Sequence, residues 1–252
     1  MTTSVLDQLV ALSNTLGKPE NDFAILGEGN TSARADADTF YVKSSGSELR
    51  TITPAGFSHV VFDCVMRLLD VDGMDDQAVK EGLQASKVNP DAPGHPSVET
   101  LLHALCLSLP GVNFVGHTHP TAINSLTCSV AFEEAFRGRL FPDEIVLCGP
   151  ATVLVPYTDP GIALARETRH QIGEYIDARG EMPRIIVIQN HGLIALGRTA
   201  EQVENETRMA VKAARILLGT YALGGPRFLS ERDVARIHNR PDEHLRREML
   251  GF

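Results

Sequence analysis

A chain of 252 residues, 43% hydrophobic and 22% charged, has ordinary globular composition and is long enough to bury a substantial core. Its formal charge of −9 argues against a nucleic-acid surface, which needs clustered Lys and Arg to neutralise phosphates. An anionic small substrate is not excluded, because the potential inside a cleft follows nearby groups more than the global sum.

No apolar run approaches the roughly 20 residues of a membrane span, and Met1–Val5 lacks the basic region and apolar stretch of a signal peptide. The four cysteines, Cys64, Cys106, Cys128 and Cys148, are widely spaced and form no C-x-x-C pair. They read as free, buried thiols, and a cytoplasmic location is expected.

In chain order, Leu6, Leu9, Val10 and Leu16 form an apolar stripe that predicts a first helix over Ser4–Leu16, stopped by Gly17. Gly27–Ser32 reads as a polar turn leading toward a strand, and Phe40–Lys43 as a short strand broken by Ser44–Ser47. Val60–Phe62 fits either strand or buried helix. Residues 70–93 are polar and charged, with a helix expected at Asp75–Ser86 and the segment a candidate mobile excursion.

Pro96–Glu99 opens a helix running through Leu109, since proline and an acid are both start signals. Strands are expected at Val112–His117, Thr152–Val155, Ile185–Ile188 and Leu193–Leu196. Helices are expected after Pro120, at Ile162–Ala178, and at Ala200–Leu218 with Thr199 as N-cap. The tail from Pro226 is charged, with a last helix expected at Pro241–Leu250. Alternating helices and strands give an α/β class. The hairpin Ile185–Leu196 makes the sheet not wholly parallel. One domain over 1–252 is the expected organisation.

His117-Thr118-His119 carries the first chemical signal. Side chains at i and i+2 of a strand share a face, so the two imidazoles can chelate one cation. His191, in the turn Asn190-His191-Gly192 after a β-branched strand, is the third candidate, with Gly192 giving backbone freedom. Three imidazoles with an open fourth position are what a catalytic zinc requires. Glu99, at a helix start, can ligate the metal or shuttle a proton; alone, it would read as a dipole-stabilising acid. Gly29–Ser32 and Ser44–Ser47 offer hydroxyls and backbone N–H groups of the kind that bind phosphate. Ser97 adds a hydroxyl near a helix start.

In order along the chain, G-N-T-S at Gly29–Ser32, S-S-G at Ser44–Gly46, P-S-x-E at Pro96–Glu99, H-x-H-P at His117–Pro120 and N-H-G-L at Asn190–Leu193 resemble the class II aldolase/adducin family. The resemblance runs from about Ser4 to Leu218. It implies a three-layer α/β/α sandwich with a largely antiparallel central sheet, and a homotetramer with active sites near subunit interfaces. It implies Zn2+ held by His117, His119 and His191, a site type that Mn2+ or Co2+ also enters. Glu99 would ligate the resting metal and act as acid–base. Asn30, Ser45, Gly46 and Ser97 would hold a substrate phosphate.

The implied activity is retro-aldol cleavage of a ketose 1-phosphate to dihydroxyacetone phosphate and an aldehyde. The same chemistry also serves sugar-phosphate 4-epimerases and sugar-acid phosphate decarboxylases. An adducin-like interaction module would lack the metal set. Two departures stand out. Some fuculose-phosphate aldolases have S-S-E where this chain has Ser97-Val98-Glu99, and the region after His119 offers Phe132, Phe136 and Phe141 but no tyrosine. His103, four residues after Glu99, is expected to pack against or orient it. His59, His170, His238 and His244 belong to no motif.

Overall fold

The computed structural model describes residues 3–243, so His244 and almost all of the helix expected at Pro241–Leu250 lie outside the described residues. Among the described residues, seven strands form one sheet: β1 Asn30–Arg34, β2 Thr39–Lys43, β3 Phe57–Val61, β4 Phe114–Thr118, β5 Val153–Val155, β6 Ile185–Ile188 and β7 Gly192–Gly197. Their order across the sheet is β3-β2-β1-β4-β7-β6-β5. Every neighbouring pair is antiparallel except β5 with β6. Asp36 closes the β1–β2 turn, its carboxylate accepting from the backbone N–H groups of Asp38 and Thr39 at 2.9 and 2.8 Å.

Helices cover both faces because the strands are apolar on both. In β6, Ile186 and Ile188 join one core while Ile185 and Val187 join the other, as a period of two dictates. The first core is closed by α2 Phe62–Leu69, α3 Asp76–Ala85, α4 Thr100–Leu107 and α8 Ile162–Arg179. The second is closed by α1 Val5–Leu16, α5 Thr121–Thr127, α6 Phe132–Phe136, α7 Pro142–Cys148 and α9 Ala200–Tyr221. A further helix, α10 Glu231–His238, packs against α7. The result is the three-layer, mostly antiparallel α/β arrangement expected from the sequence.

Several boundaries follow cap chemistry. The Ser4 hydroxyl accepts from Asp7 N–H, Thr199 accepts from Gln202 N–H, and α8 ends at Gly180 in the left-handed conformation. Some expectations need correction. Val60 and Val61 end strand β3, and Phe62 opens α2 immediately after. The helix expected from Pro96 begins only at Thr100, leaving Pro96–Glu99 as the approach to it. Of the cysteines, Cys106 and Cys148 are buried, but Cys64 and Cys128 are exposed. Cys64 lies on the outer side of α2, whose neighbours Phe62 and Val65 turn inward.

Helix α4 is buried along its whole length. Truncating Leu101, which is fully buried, removes packing on every side; Leu101→Ala is expected to cost about 2–5 kcal/mol in urea unfolding. The exposed control Cys64→Ala should stay within about 0.5 kcal/mol of the parent.

Candidate active site

The three central strands carry the candidate residues to one edge of the sheet. β4 places His117 opposite Asn30 of β1 on one side and Ile194 of β7 on the other. His119 follows just beyond the strand, its N–H donating to Phe23 O at 2.8 Å. His191 ends the tight turn between β6 and β7. There Asn190 takes a left-handed φ of 54° while its N–H donates to Thr127 O at 3.1 Å.

Two glycines permit the close approach of these segments. A Cβ on Gly192 would lie 2.6 Å from Thr118 O and 2.7 Å from the His119 ring. Gly29, at φ +66°, would press a Cβ to 2.7 Å from His117 O.

The three imidazoles converge through one type of atom. His117 Nε2 lies 3.0 Å from His119 Nε2 and 3.2 Å from His191 Nε2. Glu99 Oε1 lies 3.2 Å from His191 Nε2 and 3.6 Å from His117 Nε2. Donors at about 2.0–2.1 Å around a tetrahedral zinc stand roughly 3.3–3.4 Å from one another. These four distances, 3.0–3.6 Å, bracket that figure, and the three histidine nitrogens all lie within 4.8 Å of one another, so the residues present fit a divalent metal. His117 Nδ1–H donates to Leu193 O at 3.0 Å, which leaves Nε2 as the ligand nitrogen.

Electrostatics sort the four groups. Burial opposes ionisation of Glu99, but the charge and hydrogen bond of His117, then those of His191, hold its carboxyl well below the usual range. Burial likewise disfavours charge on His117; the Glu99 carboxylate and the Leu193 carbonyl outweigh it and raise the imidazole. His119 is pushed down to about 3 by burial and by the neighbouring histidine charges. It therefore stays neutral at physiological pH, as a ligand must.

The remaining predicted residues fall into two groups. Asn30 is buried and committed within the protein: its amide Nδ2 donates to Glu99 Oε2, and its Oδ1 faces His103 Nε2. Ser45 and Gly46 form an exposed turn; Ser45 N–H donates to His95 O at 2.9 Å, and Gly46 takes φ +80° with open space beside it. A bridge between Ser44 and Pro96 joins this turn to Ser97, whose buried Oγ has no hydrogen-bond partner. Lys87, buried, donates to the carbonyls of Pro90, Ala92 and Gly94 and fixes the loop that delivers Pro96.

Lys43 escaped sequence reasoning. It is buried, and its Nζ donates to Gly27 O at 3.1 Å. Burial lowers its pKa while the Glu99 charge raises it, which places an ammonium within electrostatic reach of the histidine cluster. A lysine at a strand end normally reaches solvent, so only the three-dimensional fold reveals it. No tyrosine could be assigned to the site from sequence. Tyr157 is exposed, its N–H bonds Gln189 Oε1 next to the His191 turn, and Tyr221 ends α9. The rim segment after Tyr157 continues to Gly161, which packs beside Val98.

Comparison with known proteins identifies the family and the fold. Residues 7–218 match the Class II Aldolase and Adducin N-terminal domain. The chain belongs to that family. A Bacillus subtilis (strain 168) protein named as the uncharacterized oxidoreductase YuxG is 31% identical over 217 residues, covering 83% of this chain. The match spans only 29% of that relative. The N-terminal class II aldolase domain of a conserved Thermoplasma acidophilum protein is 32% identical with a TM-score of 0.67, covering 86% of this chain and 95% of that one. The L-fuculose-1-phosphate aldolase from Thermus thermophilus shares the class II aldolase fold at 16% identity, with a TM-score of 0.60 over 87% of this chain and 98% of that one.

The shifted groups give the metal-free protein a distinct pH profile. Unfolded, its histidines titrate near 6.5, whereas folded His119 and the buried His103 stay neutral down to about 3. Between these limits the unfolded state binds more protons, so stability falls as pH falls, by about 1.4 kcal/mol per unit for each proton. His117 has the opposite sign: its contribution is complete below 6.5 and is lost as pH rises through its raised folded pKa. Burial raises the Glu206 and Glu144 carboxyls, which share the sign of His117 and offset part of the slope; with His103 and His119 dominating, thermal unfolding of metal-free protein is expected to show a lower Tm at pH 5 than at pH 6.5. A Tm at pH 5 equal to or above that at pH 6.5 contradicts these assignments.

Proposed function

We propose that this protein is a metal-dependent lyase that cleaves a ketose 1-phosphate by a retro-aldol reaction, giving dihydroxyacetone phosphate and an aldehyde. The observation that carries the reading is the cluster of three imidazoles, whose ligand nitrogens all lie within 4.8 Å of one another, with the Glu99 carboxylate beside two of them. Zn2+ suits such a donor set, with Mn2+ or Co2+ as substitutes. When bound, the metal supplies Lewis-acid polarisation of a substrate oxygen.

The chain's own residues supply the rest. His117, His119 and His191 hold and orient the ion. Glu99 is ionised and within reach of the same donors, so it is placed to carry a proton to or from the substrate carbon. Asn30 aligns that carboxylate through its amide. Lys43, the unpartnered Ser97 hydroxyl and the Ser45-Gly46 turn provide charge and donors for a substrate phosphate. A homotetramer fits the exposed apolar side chains of Ile25 and Leu26 in the loop entering β1, which a second subunit would cover.

Among the described residues no helix is long and apolar enough to cross a membrane, and the proposed setting is the cytoplasm. Epimerisation and decarboxylation would use the same four residues but release different products.

Elemental analysis followed by a product screen over ketose 1-phosphates tests the reading. One divalent ion per chain and an aldehyde product are expected. Glu99→Gln should lower kcat by about 10²–10⁴-fold, the usual range for a lost acid–base group. A metal-loaded protein inert toward every ketose 1-phosphate would rule out the lyase, and carbon dioxide or an epimer would redirect it. Lys43→Met should raise KM for a phosphorylated substrate by about 10–100-fold, as expected for loss of a charged hydrogen bond, and leave kcat less affected. Unchanged KM would remove Lys43 from the phosphate site.

A further inference from the structure

Behind Glu99 lies a second line of polar residues that makes no contact with the histidine cluster's ligand nitrogens. It arises where two periodicities meet. On β1, Asn30 and Ser32 are two residues apart and share a face. On the approach to and first turn of α4, Glu99 and His103 are four apart and also share a face. The two pairs confront each other. Ser32 Oγ lies 2.6 Å from His103 Nδ1, His103 Nε2 meets Asn30 Oδ1, and Asn30 Nδ2 donates to Glu99 Oε2. Ser32, His103 and Asn30 are all buried, so water offers no alternative partner.

We propose that His103, its ring set by Ser32, is a positioning residue that fixes the Asn30 amide in one orientation and thereby holds the Glu99 carboxylate in place. This rests on the reading of Glu99 as part of the metal centre.

An amide has nearly the same shape after a half-turn that exchanges its oxygen and nitrogen. Only one orientation presents a donor to Glu99; the other would set oxygen against carboxylate. The His103 Nε2–H breaks this degeneracy by donating to Oδ1. For that, Nδ1 must be the unprotonated nitrogen, and the Ser32 hydroxyl holds it there by donating to it, in the direction that the acceptor-only Glu99 carboxylate requires of the whole line. The ring brings no charge of its own: burial depresses its pKa to about 3. Hydroxyl, imidazole and amide thus run in one donor direction and end on the one Glu99 oxygen that does not face the histidines.

Metal-free wild type, His103→Leu, His103→Gln and Ser32→Ala are titrated with Zn2+ against a chromogenic chelator, and their metal-free Tm values are measured in parallel. His103→Leu is expected to weaken zinc binding by about 10–100-fold, the usual effect of removing a partner that orients a ligand. His103→Gln, which can still donate to Asn30 Oδ1, should recover most of that affinity, and Ser32→Ala should lie between. A purely structural role would lower the metal-free Tm without changing zinc affinity per folded molecule, and Gln would not rescue it. Wild-type affinity in His103→Leu, or a Gln variant as weak as Leu, overturns the proposal. Should His103→Leu fail to fold, Ser32→Ala with wild-type affinity overturns it equally. A wild type that binds no zinc contradicts the metal-centre reading first, and the relay falls with it.

Discussion

Three imidazole nitrogens crowded within 4.8 Å of one another are the constraint on which the rest of the structure turns. Neutral nitrogens 3.0–3.2 Å apart cannot all hydrogen-bond to one another, because each contact needs a proton that only one partner can supply. Without a cation, a proton on His117 and the negative charge of Glu99 relieve part of that repulsion, which is why the two pKa values move in opposite directions. A divalent cation relieves it completely. The protein therefore keeps, at the edge of its sheet, an arrangement that is costly unless positive charge is present.

The scaffold supports that cost on both sides. β4 is central, with β1 and β7 as neighbours, so the His117 backbone is held by two ladders, while His119 follows directly on that strand and His191 directly precedes β7. Glycines at 29 and 192 let the adjoining segments close to contact distance. Core packing on both faces of β6 and β7 fixes the turn that presents His191. Sites built on paired strands move less than sites on free loops, and the ligand spacing depends on that stiffness.

The sequence made parts of this design readable and hid others. His117, His119, His191 and Glu99 were legible because their spacing and flanking Pro and Gly carry mechanism. The long helices were legible through their caps. β1 was not, because Asn30-Thr31-Ser32 lacks the apolar alternation of a strand. Its polar side chains are instead satisfied internally, Thr31 by Ser13 at 2.6 Å, Ser32 by His103 and Asn30 by Glu99. Helices α6 and α7 are too short for a helical period to declare itself. Lys43 was hidden for a different reason: its burial depends on the Gly27 carbonyl and the distant Glu99, neither of which is near it in sequence. His103 was expected to pack against or orient Glu99; its hydrogen-bond partners are Ser32 and Asn30, and Asn30 in turn bonds Glu99.

X-ray absorption at the zinc edge of protein loaded with one equivalent of Zn2+ addresses the central arrangement most directly. Only nitrogen and oxygen neighbours at about 2.0–2.1 Å, with the outer-shell scattering of about three imidazoles, are expected. Sulfur at about 2.3 Å would instead place the ion on the exposed Cys64 or Cys128. That result, or a shell without imidazole, would contradict a metal centre built from His117, His119 and His191.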